Sequence, residues 1–133
     1  MWAAREELFE ESPNTAICKV SLLPSDFGGF LDRLAQLAAA SELSWIFIGQ
    51  AVGVGLLRLE AVSIAGLHKA VLDLRSQLES SAGALVILKC PSELKNHVDV
   101  WGSAGDALPL MKRIKTQFDP AGVLNPGRFV GSI

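Results

Sequence analysis

The side chains that can do chemistry in this sequence lie in three places, of which the first is the run GVGLLRLEA, residues 53–61. The two-residue period of a strand puts Arg58 and Glu60 on one face of this run and Leu57 and Leu59 on the other. A guanidinium on an open sheet face can bind an anionic ligand or a carboxylate of another domain. The alternative is a surface ion pair between Arg58 and Glu60. The first interpretation makes Arg58 a substrate-side candidate, whereas the second gives it only a structural role.

The second place is the loop KNHVDVWG, where His97 stands two residues before Asp99 and four before Trp101. Loops carry binding residues more often than core elements do, so His97 is a second substrate-side candidate. The other histidine, His68, falls on a predicted helix and is typical of a solvated or core-edge residue. Without a paired carboxylate motif, two histidines form no recognisable metal site, and we expect no metal.

The third place is the stretch FDPAGVLNPGRF, residues 118–129, close to the end of the sequence. Its two prolines fix backbone φ, its two glycines permit left-handed conformations, and Asn125 before Pro126 favours a turn. Such a stiff segment loses little entropy when it docks on a neighbour. Arg128 and Phe129 add a forked cation and an aromatic anchor. The stretch therefore predicts a docking segment.

The elements that must position these residues alternate in an orderly way. Strands are predicted over Thr15–Leu23, Leu43–Ile48, Gly53–Ala61 and Ala84–Lys89. One helix follows Pro24-Ser25-Asp26 and ends near Ala40, and a second runs from Ile64 to about Ser80, both with apolar residues at three- and four-residue spacing. The order β-α-β-β-α-β predicts an α+β ferredoxin-like fold, with two helices covering an antiparallel sheet. The glycine-rich run GQAVGVG connects two strands, which favours a hairpin over a phosphate-binding loop.

Two further helices flank this pattern. An amphipathic helix is predicted over Trp2–Glu11 and another over Leu108–Phe118, followed by the tail. In the second of these the apolar residues are predicted to face inward; they are Leu110, Met111, Ile114 and Phe118. The Asp119-Pro120 pair ends that helix, because proline disfavours a helical conformation in the residue before it.

Composition narrows the class of protein. A chain of 133 residues with 50% hydrophobic and 20% charged residues fits one folded domain. A net charge of −2 offers no basic surface for nucleic acid, and no apolar run approaches the roughly 20 residues of a membrane span. Cys18 and Cys90 lie in strand-like runs and indicate buried thiols of a reducing compartment. The acidic N-terminus lacks a signal peptide, so we expect a cytoplasmic protein.

The C-terminal run VDVWGSAGDALPLMKRIKTQFDPAGVLNPGRFVGSI resembles the C-terminal domain of FAD-linked oxidases of the vanillyl-alcohol oxidase type, whose chains often end in a DPxGxxNPG-like motif. KVSLLPSD around Pro24 and the AAREEL run after Trp2 add support. Within that family the similarity is greatest to the FAD-binding subunits of glycolate oxidase.

The resemblance implies that residues 1–133 form a single cap domain, the domain that closes over the flavin in these enzymes, and that the FAD-binding domain is not part of this sequence. By position in the terminal motif, Asn125, Gly127 and Arg128 would lie at the junction with FAD and its domain. The resemblance further implies a FAD-dependent oxidation of glycolate or another 2-hydroxy acid, and an inactive cap when it is alone.

The implied partners are the FAD-binding domain, a second flavoprotein subunit and an iron–sulfur subunit, which would bring the protein to the periphery of the inner membrane. The histidine-rich metal motif of related catalytic subunits has no counterpart here, so the catalytic residues stay unknown. The alternative is a non-catalytic ferredoxin-like module that binds a small ligand or dimerises.

Overall fold

A computed structural model describes residues 8–10 and 12–133 of the chain, so the predicted helix Trp2–Glu11 lies almost entirely outside the described residues. The chain forms two compact units, which meet in sequence between Val100 and Trp101. The first contains the sheet and its helices, and the second is Trp101–Ile133.

The first unit is a four-stranded antiparallel sheet with the strand order β2-β3-β1-β4. The strands are β1 (Thr15–Ser21), β2 (Ser44–Gln50), β3 (Val54–Glu60) and β4 (Ala84–Lys89). Helix α1 (Phe27–Ser41) follows β1, α2 (Ile64–Ser80) follows β3, and the short α3 (Ser92–Lys95) follows β4. This element order and strand order confirm the ferredoxin-like α+β prediction.

The core of this unit lies between the two long helices and one face of the sheet. Both helices bury residues at the predicted spacing, namely Phe30, Leu34 and Leu37 from α1 and Leu67, Val71, Leu74 and Leu78 from α2. The sheet contributes alternate residues of its two central strands, including Ala16, Cys18, Val20, Leu57 and Leu59. Alternation places the remaining residues of these strands on the opposite face, which includes Ile17 and Arg58.

The β2–β3 hairpin confirms the hairpin interpretation of GQAVGVG. Gly53 closes the turn. Its amide donates to the Gln50 carbonyl at 3.0 Å, and its carbonyl accepts a hydrogen bond from the Leu22 amide at 2.8 Å. Its φ of +84° is a left-handed conformation that L side chains rarely adopt. A Cβ there would also collide with the Leu22 carbonyl oxygen. Glycine is therefore required at this position for a backbone reason.

In the second unit, α4 (Leu108–Phe118) has the predicted bounds. The inward orientation predicted for its apolar residues is wrong: Leu110 is 59% exposed, Ile114 49% and Phe118 81%, and no residue of α4 is buried. Amphipathic spacing defines an apolar face but not what covers it. The helix therefore presents this face as an exposed surface.

Candidate functional site

Arg58 lies on β3, opposite Ile17 of β1, and is only 9% exposed. Its Nη1 donates to Glu60 Oε2 at 2.8 Å, as in the ion pair considered from the sequence. Glu60 also accepts the Ser12 hydroxyl at 2.6 Å. The Ser12 hydrogen bond first, and Arg58 second, lower the pKa of Glu60, so the carboxylate stays charged. The Arg58 charge is thus already compensated within the sheet face.

His97 is exposed and follows α3. The structure brings it beside His68 of α2, with 6.2 Å between the ring centroids. Sequence reasoning treated the two histidines separately, because nothing in the sequence places the loop after α3 against α2. Among the described residues, no group of three or more His, Cys, Asp or Glu side chains is arranged to hold a metal ion.

Sequence reasoning also missed Arg75, which holds the segment containing His97 against the sheet. This α2 residue is only 8% exposed. Its Nη1 donates to the Asp99 carbonyl at 2.7 Å and its Nη2 to the Leu85 carbonyl at 3.1 Å. The amide of Ile87 donates to the Val100 carbonyl at 2.8 Å, which continues the attachment along β4. The signal was the position of Arg75 on the apolar face of α2, four residues after Val71 and three before Leu78, where the charge of an arginine alone would suggest solvent.

The two cysteines are free thiols. Cys18 is fully buried in the core, and burial raises its pKa to about 12, so it stays protonated and unreactive. Partial burial likewise raises the pKa of Cys90. The sequence interpretation of a buried thiol is confirmed for Cys18, whereas Cys90 is only partly buried.

The second unit is organised by the Asp119 carboxylate, which receives three donors. The amides of Val123 and Leu124 donate to it at 3.0 and 2.9 Å, and Lys115 Nζ lies 2.6 Å from its Oδ2. Lys115 also donates to the Leu124 carbonyl at 2.5 Å. The Asp119 side chain is 4% exposed. This clasp, defined as Lys115, Asp119, Val123 and Leu124, fixes the chain as it leaves α4.

The clasp predicts a specific acid sensitivity. The Lys115 hydrogen bond first, then that of the Leu124 amide, lower the pKa of Asp119 from 3.8 to about 2. A lowered folded-state pKa adds stability above the unfolded value, and this stability is lost as the pH falls through about 2. We therefore expect the Asp119 carboxyl carbon to titrate near pH 2 by NMR. In the same acid range, hydrogen exchange at the Val123 and Leu124 amides should accelerate relative to amides of α2.

The control for that titration is Asp119→Asn, which keeps the shape but removes the charge. In this variant the Val123 and Leu124 amides should exchange hydrogen faster at neutral pH. Their exchange relative to amides of α2 should not change further between pH 4 and pH 2. An Asp119 signal titrating at an ordinary aspartate value would contradict the clasp.

The predicted docking segment forms two turns after the clasp. Gly122 donates its amide to the Asp119 carbonyl at 3.0 Å, and Arg128 donates its amide to the Asn125 carbonyl at 3.3 Å. The φ values of Gly122, Asn125 and Gly127 are +64°, +46° and +71°. Proline in the first and glycine in the second central position of the later turn fit type II geometry. The left-handed glycines predicted from the sequence are confirmed.

Trp101 anchors the end of this segment. Its indole Nε1 donates to the Arg128 carbonyl at 3.3 Å, and its ring meets Phe129 edge to face at 5.1 Å between centroids. The Arg128 backbone is thereby held, while its guanidinium is exposed. No hydrogen bond or ion pair joins that guanidinium to another residue of the described part of the chain. Arg128 is thus a positioned cation without a counter-ion among the described residues.

Beside Arg128 lies an open groove of about 760 Å³, which we call the terminal groove. Its walls are mostly apolar and are lined by Met111, Ile114, Lys115, Phe118, Asp119, Leu124, Asn125, Arg128, Phe129 and Ile133. The structure therefore brings Asn125 and Arg128 together at one site, whereas Arg58 and His97 belong to the other unit.

These residues do not fit a complete FAD site. A dinucleotide needs a cradle of backbone amides for its pyrophosphate, commonly a glycine-rich loop at a helix N-terminus. The glycine-rich run of this chain closes the β2–β3 hairpin instead. What the second unit offers is the exposed Arg128 guanidinium beside an apolar groove, which together suit contact with a neighbouring domain.

The comparison with known proteins finds a match in the second unit only. Residues 102–129 match the family model described as FAD linked oxidases, C-terminal domain. The match covers about a fifth of the chain and coincides with α4, the clasp and the turns. The match makes this segment of the second unit similar to the C-terminal domain of FAD-linked oxidases. No significant match joins the chain to a curated protein or to a solved structure.

Among the described residues, no helix has both the length and the apolar character needed to cross a membrane.

Proposed function

We propose that this chain is the C-terminal cap of a FAD-dependent 2-hydroxy-acid oxidoreductase of the glycolate oxidase type. The observation that carries the proposal is the family match over residues 102–129, which falls on the segment with the exposed apolar face and the uncompensated Arg128. In this proposal Trp101–Ile133 docks on the FAD-binding domain through the terminal groove. The ferredoxin-like unit covers the flavin.

Charge supports a docking role for the second unit. It contains Lys112, Arg113, Lys115 and Arg128 against Asp106 and Asp119, a formal charge of +2 in a chain whose total is −2. Exposed apolar side chains surround these charges, with Val123 at 71%, Leu124 at 62% and Phe129 at 49% exposure. An apolar patch of this kind marks an interaction surface. The complementary surface is apolar with acidic groups.

The redox chemistry belongs to the FAD held by the partner domain, and the cap alone is inactive. Asn125, Gly127 and Arg128 are proposed to lie at the junction, where Arg128 pairs with a carboxylate or a flavin-site oxygen. Arg58 and His97 remain substrate-side candidates. A second flavoprotein subunit and an iron–sulfur subunit complete the proposed complex, which is cytoplasmic and attached to the inner membrane through these subunits.

The experiment is co-expression of the N-terminally tagged chain with the FAD-binding domain of a glycolate oxidase FAD-binding subunit from the same genome. We expect the two to co-purify with flavin absorbance, and we expect the tagged chain alone to be colourless. Under anaerobic conditions glycolate should bleach the flavin of the complex, whereas acetate, which lacks the hydroxyl group, should not. Failure of the two proteins to associate would refute the docking role. Association without bleaching by any 2-hydroxy acid would refute the substrate class alone.

A further inference from the structure

The sheet of the first unit has two edge strands, β2 and β4, and within the described part of the chain neither pairs with a strand on its outer side. The only strand neighbour of β2 among the described residues is β3. In an antiparallel pair, alternate residues direct their amide and carbonyl groups away from the partner. The outer side of β2 therefore carries a row of backbone donors and acceptors available to another strand.

β2 also lacks the features that usually protect an edge strand. Its sequence, SWIFIGQ, contains no charged residue and no proline, and its register with β3 is regular over all seven residues. The other edge is different. β4 has a register irregularity opposite Ile17 and Cys18, bonds to Val100 through Ile87, and ends in Lys89. Charges, irregularities and covering segments are common ways of blocking edge pairing. β2 has neither a charged residue nor a register irregularity.

We propose that two copies of this chain dimerise by antiparallel pairing of their β2 strands, centred on Phe47. The strand is self-complementary in this register. Trp45 of each copy lies opposite Gly49 of the other, and Ile46 lies opposite Ile48. At the two ends Ser44 lies opposite Gln50. Each pair thus joins apolar with apolar, large with small, or polar with polar, and no like charges meet across the two-fold axis.

The two faces of β2 explain why the pairing is favourable. Trp45 and Phe47 pack on the helix side, where the Phe47 ring lies 5.5 Å from that of Phe27 and 5.4 Å from that of Phe30. Strand alternation then places Ile46 and Ile48 on the opposite face, where both remain partly exposed. Pairing adds two Ile46–Ile48 contacts, and such cross-strand apolar pairs stabilise sheets.

Gly49 is the small member of the Trp45–Gly49 pair. A Cβ at Gly49 would fall 2.8 Å from the Phe47 ring and would also meet Phe27, so these two rings of the same chain already cover the glycine. Because β4 is already blocked, pairing through β2 closes at two copies and joins the two sheets into one.

The test is the mass of the purified chain by light scattering and sedimentation across a concentration series. We expect a reversible dimer, weakly bound because a seven-residue edge is a small interface. The double variant Ile46→Glu/Ile48→Glu places carboxylates opposite each other and should raise the dissociation constant about a hundredfold. The variant Ile46→Glu/Ile48→Lys places opposite charges in register and should restore a dissociation constant within about tenfold of the original.

The control is Leu88→Glu, which places a carboxylate on an exposed apolar residue of β4, the other edge strand. It should leave the dimer intact. Circular dichroism must show that all variants are folded. A wild-type chain that stays monomeric at high concentration would overturn the proposal, as would equal dimerisation of the two double variants. If Leu88→Glu alone dissociates the dimer, the interface lies at β4 and the proposal is wrong.

Discussion

Replacement of Arg75 by methionine is expected to lower the free energy of unfolding of the first unit by about 2–3 kcal/mol. The side chain is 8% exposed, and it donates to two main-chain carbonyls, of Leu85 and of Asp99. Methionine fills a similar volume but leaves both carbonyls without this donor. An unsatisfied buried acceptor costs about 1–3 kcal/mol, a penalty that applies most to the carbonyl of buried Leu85, since Asp99 is an exposed residue.

One opposing effect limits the loss. Arg75 Nε is buried without a hydrogen-bond partner in the described structure, so removing the guanidinium also relieves some desolvation. Urea unfolding followed by circular dichroism measures the net change. Arg75→Lys should recover part of it, because an ammonium can reach one carbonyl but does not have the forked geometry for both.

The matched control is Arg33→Met on α1. Arg33 forms an ion pair with Asp73 of α2, but its side chain is 37% exposed. Exposed ion pairs contribute little to stability, so this variant should leave the urea midpoint almost unchanged. If Arg75→Met behaved in the same way, the segment around His97 would have to be held by something else. Hydrogen exchange at Val98 and Val100 should report that segment directly, accelerating in Arg75→Met and not in Arg33→Met.

The elements of the first unit were predictable because the local signals agree with one another. Apolar spacing in α1 and α2, short apolar runs in the four strands and the glycine-rich hairpin all favour one order of elements. The observed strands are shorter than predicted at some ends, as β1 stops at Ser21 rather than Leu23. Leu22 remains buried, but its amide bonds to the hairpin turn instead of continuing the sheet.

What could not be predicted depends on contacts between distant segments. The apolar spacing of α4 identified its apolar face correctly, yet the face is exposed, because periodicity carries no information about the covering surface. The proximity of His68 and His97 depends on how α3 returns toward α2. Short polar loops do not encode such returns in any recognisable pattern.

Only the turns of the candidate site could be predicted from the sequence. Turn chemistry is local, so the left-handed glycines around Asn125 and Pro126 followed from residue types alone. The clasp was not foreseen, because Asp119 was interpreted only as the residue that ends α4. Its carboxylate satisfies amides four and five residues later, which is what holds the Arg128 turn in place.

Reversal of the Arg128 charge is expected to weaken association with the FAD-binding domain about a hundredfold, if the chain functions as proposed. Arg128 is exposed at the edge of the terminal groove, and its backbone is fixed by Trp101 and by the turn from Asn125. A guanidinium held in this way loses little entropy on binding. Arg128→Glu would place a carboxylate against an acidic partner surface, whereas Arg128→Ala only removes the attraction and should cost about tenfold.

The control for this prediction is Arg113→Glu, which makes the same charge reversal on α4 in the same unit. Arg113 is exposed and is not one of the residues that line the terminal groove. Long-range attraction between the net charges of the second unit and the FAD-binding domain would be weakened equally by both reversals and would be screened by salt. A specific contact at Arg128 would instead make Arg128→Glu much more harmful than Arg113→Glu, with a difference that persists at high salt. Titration calorimetry with the FAD-binding domain, together with the flavin content of the complex, separates these outcomes. Normal affinity and flavin content in Arg128→Ala would show that the terminal segment holds the cap through its apolar surface alone.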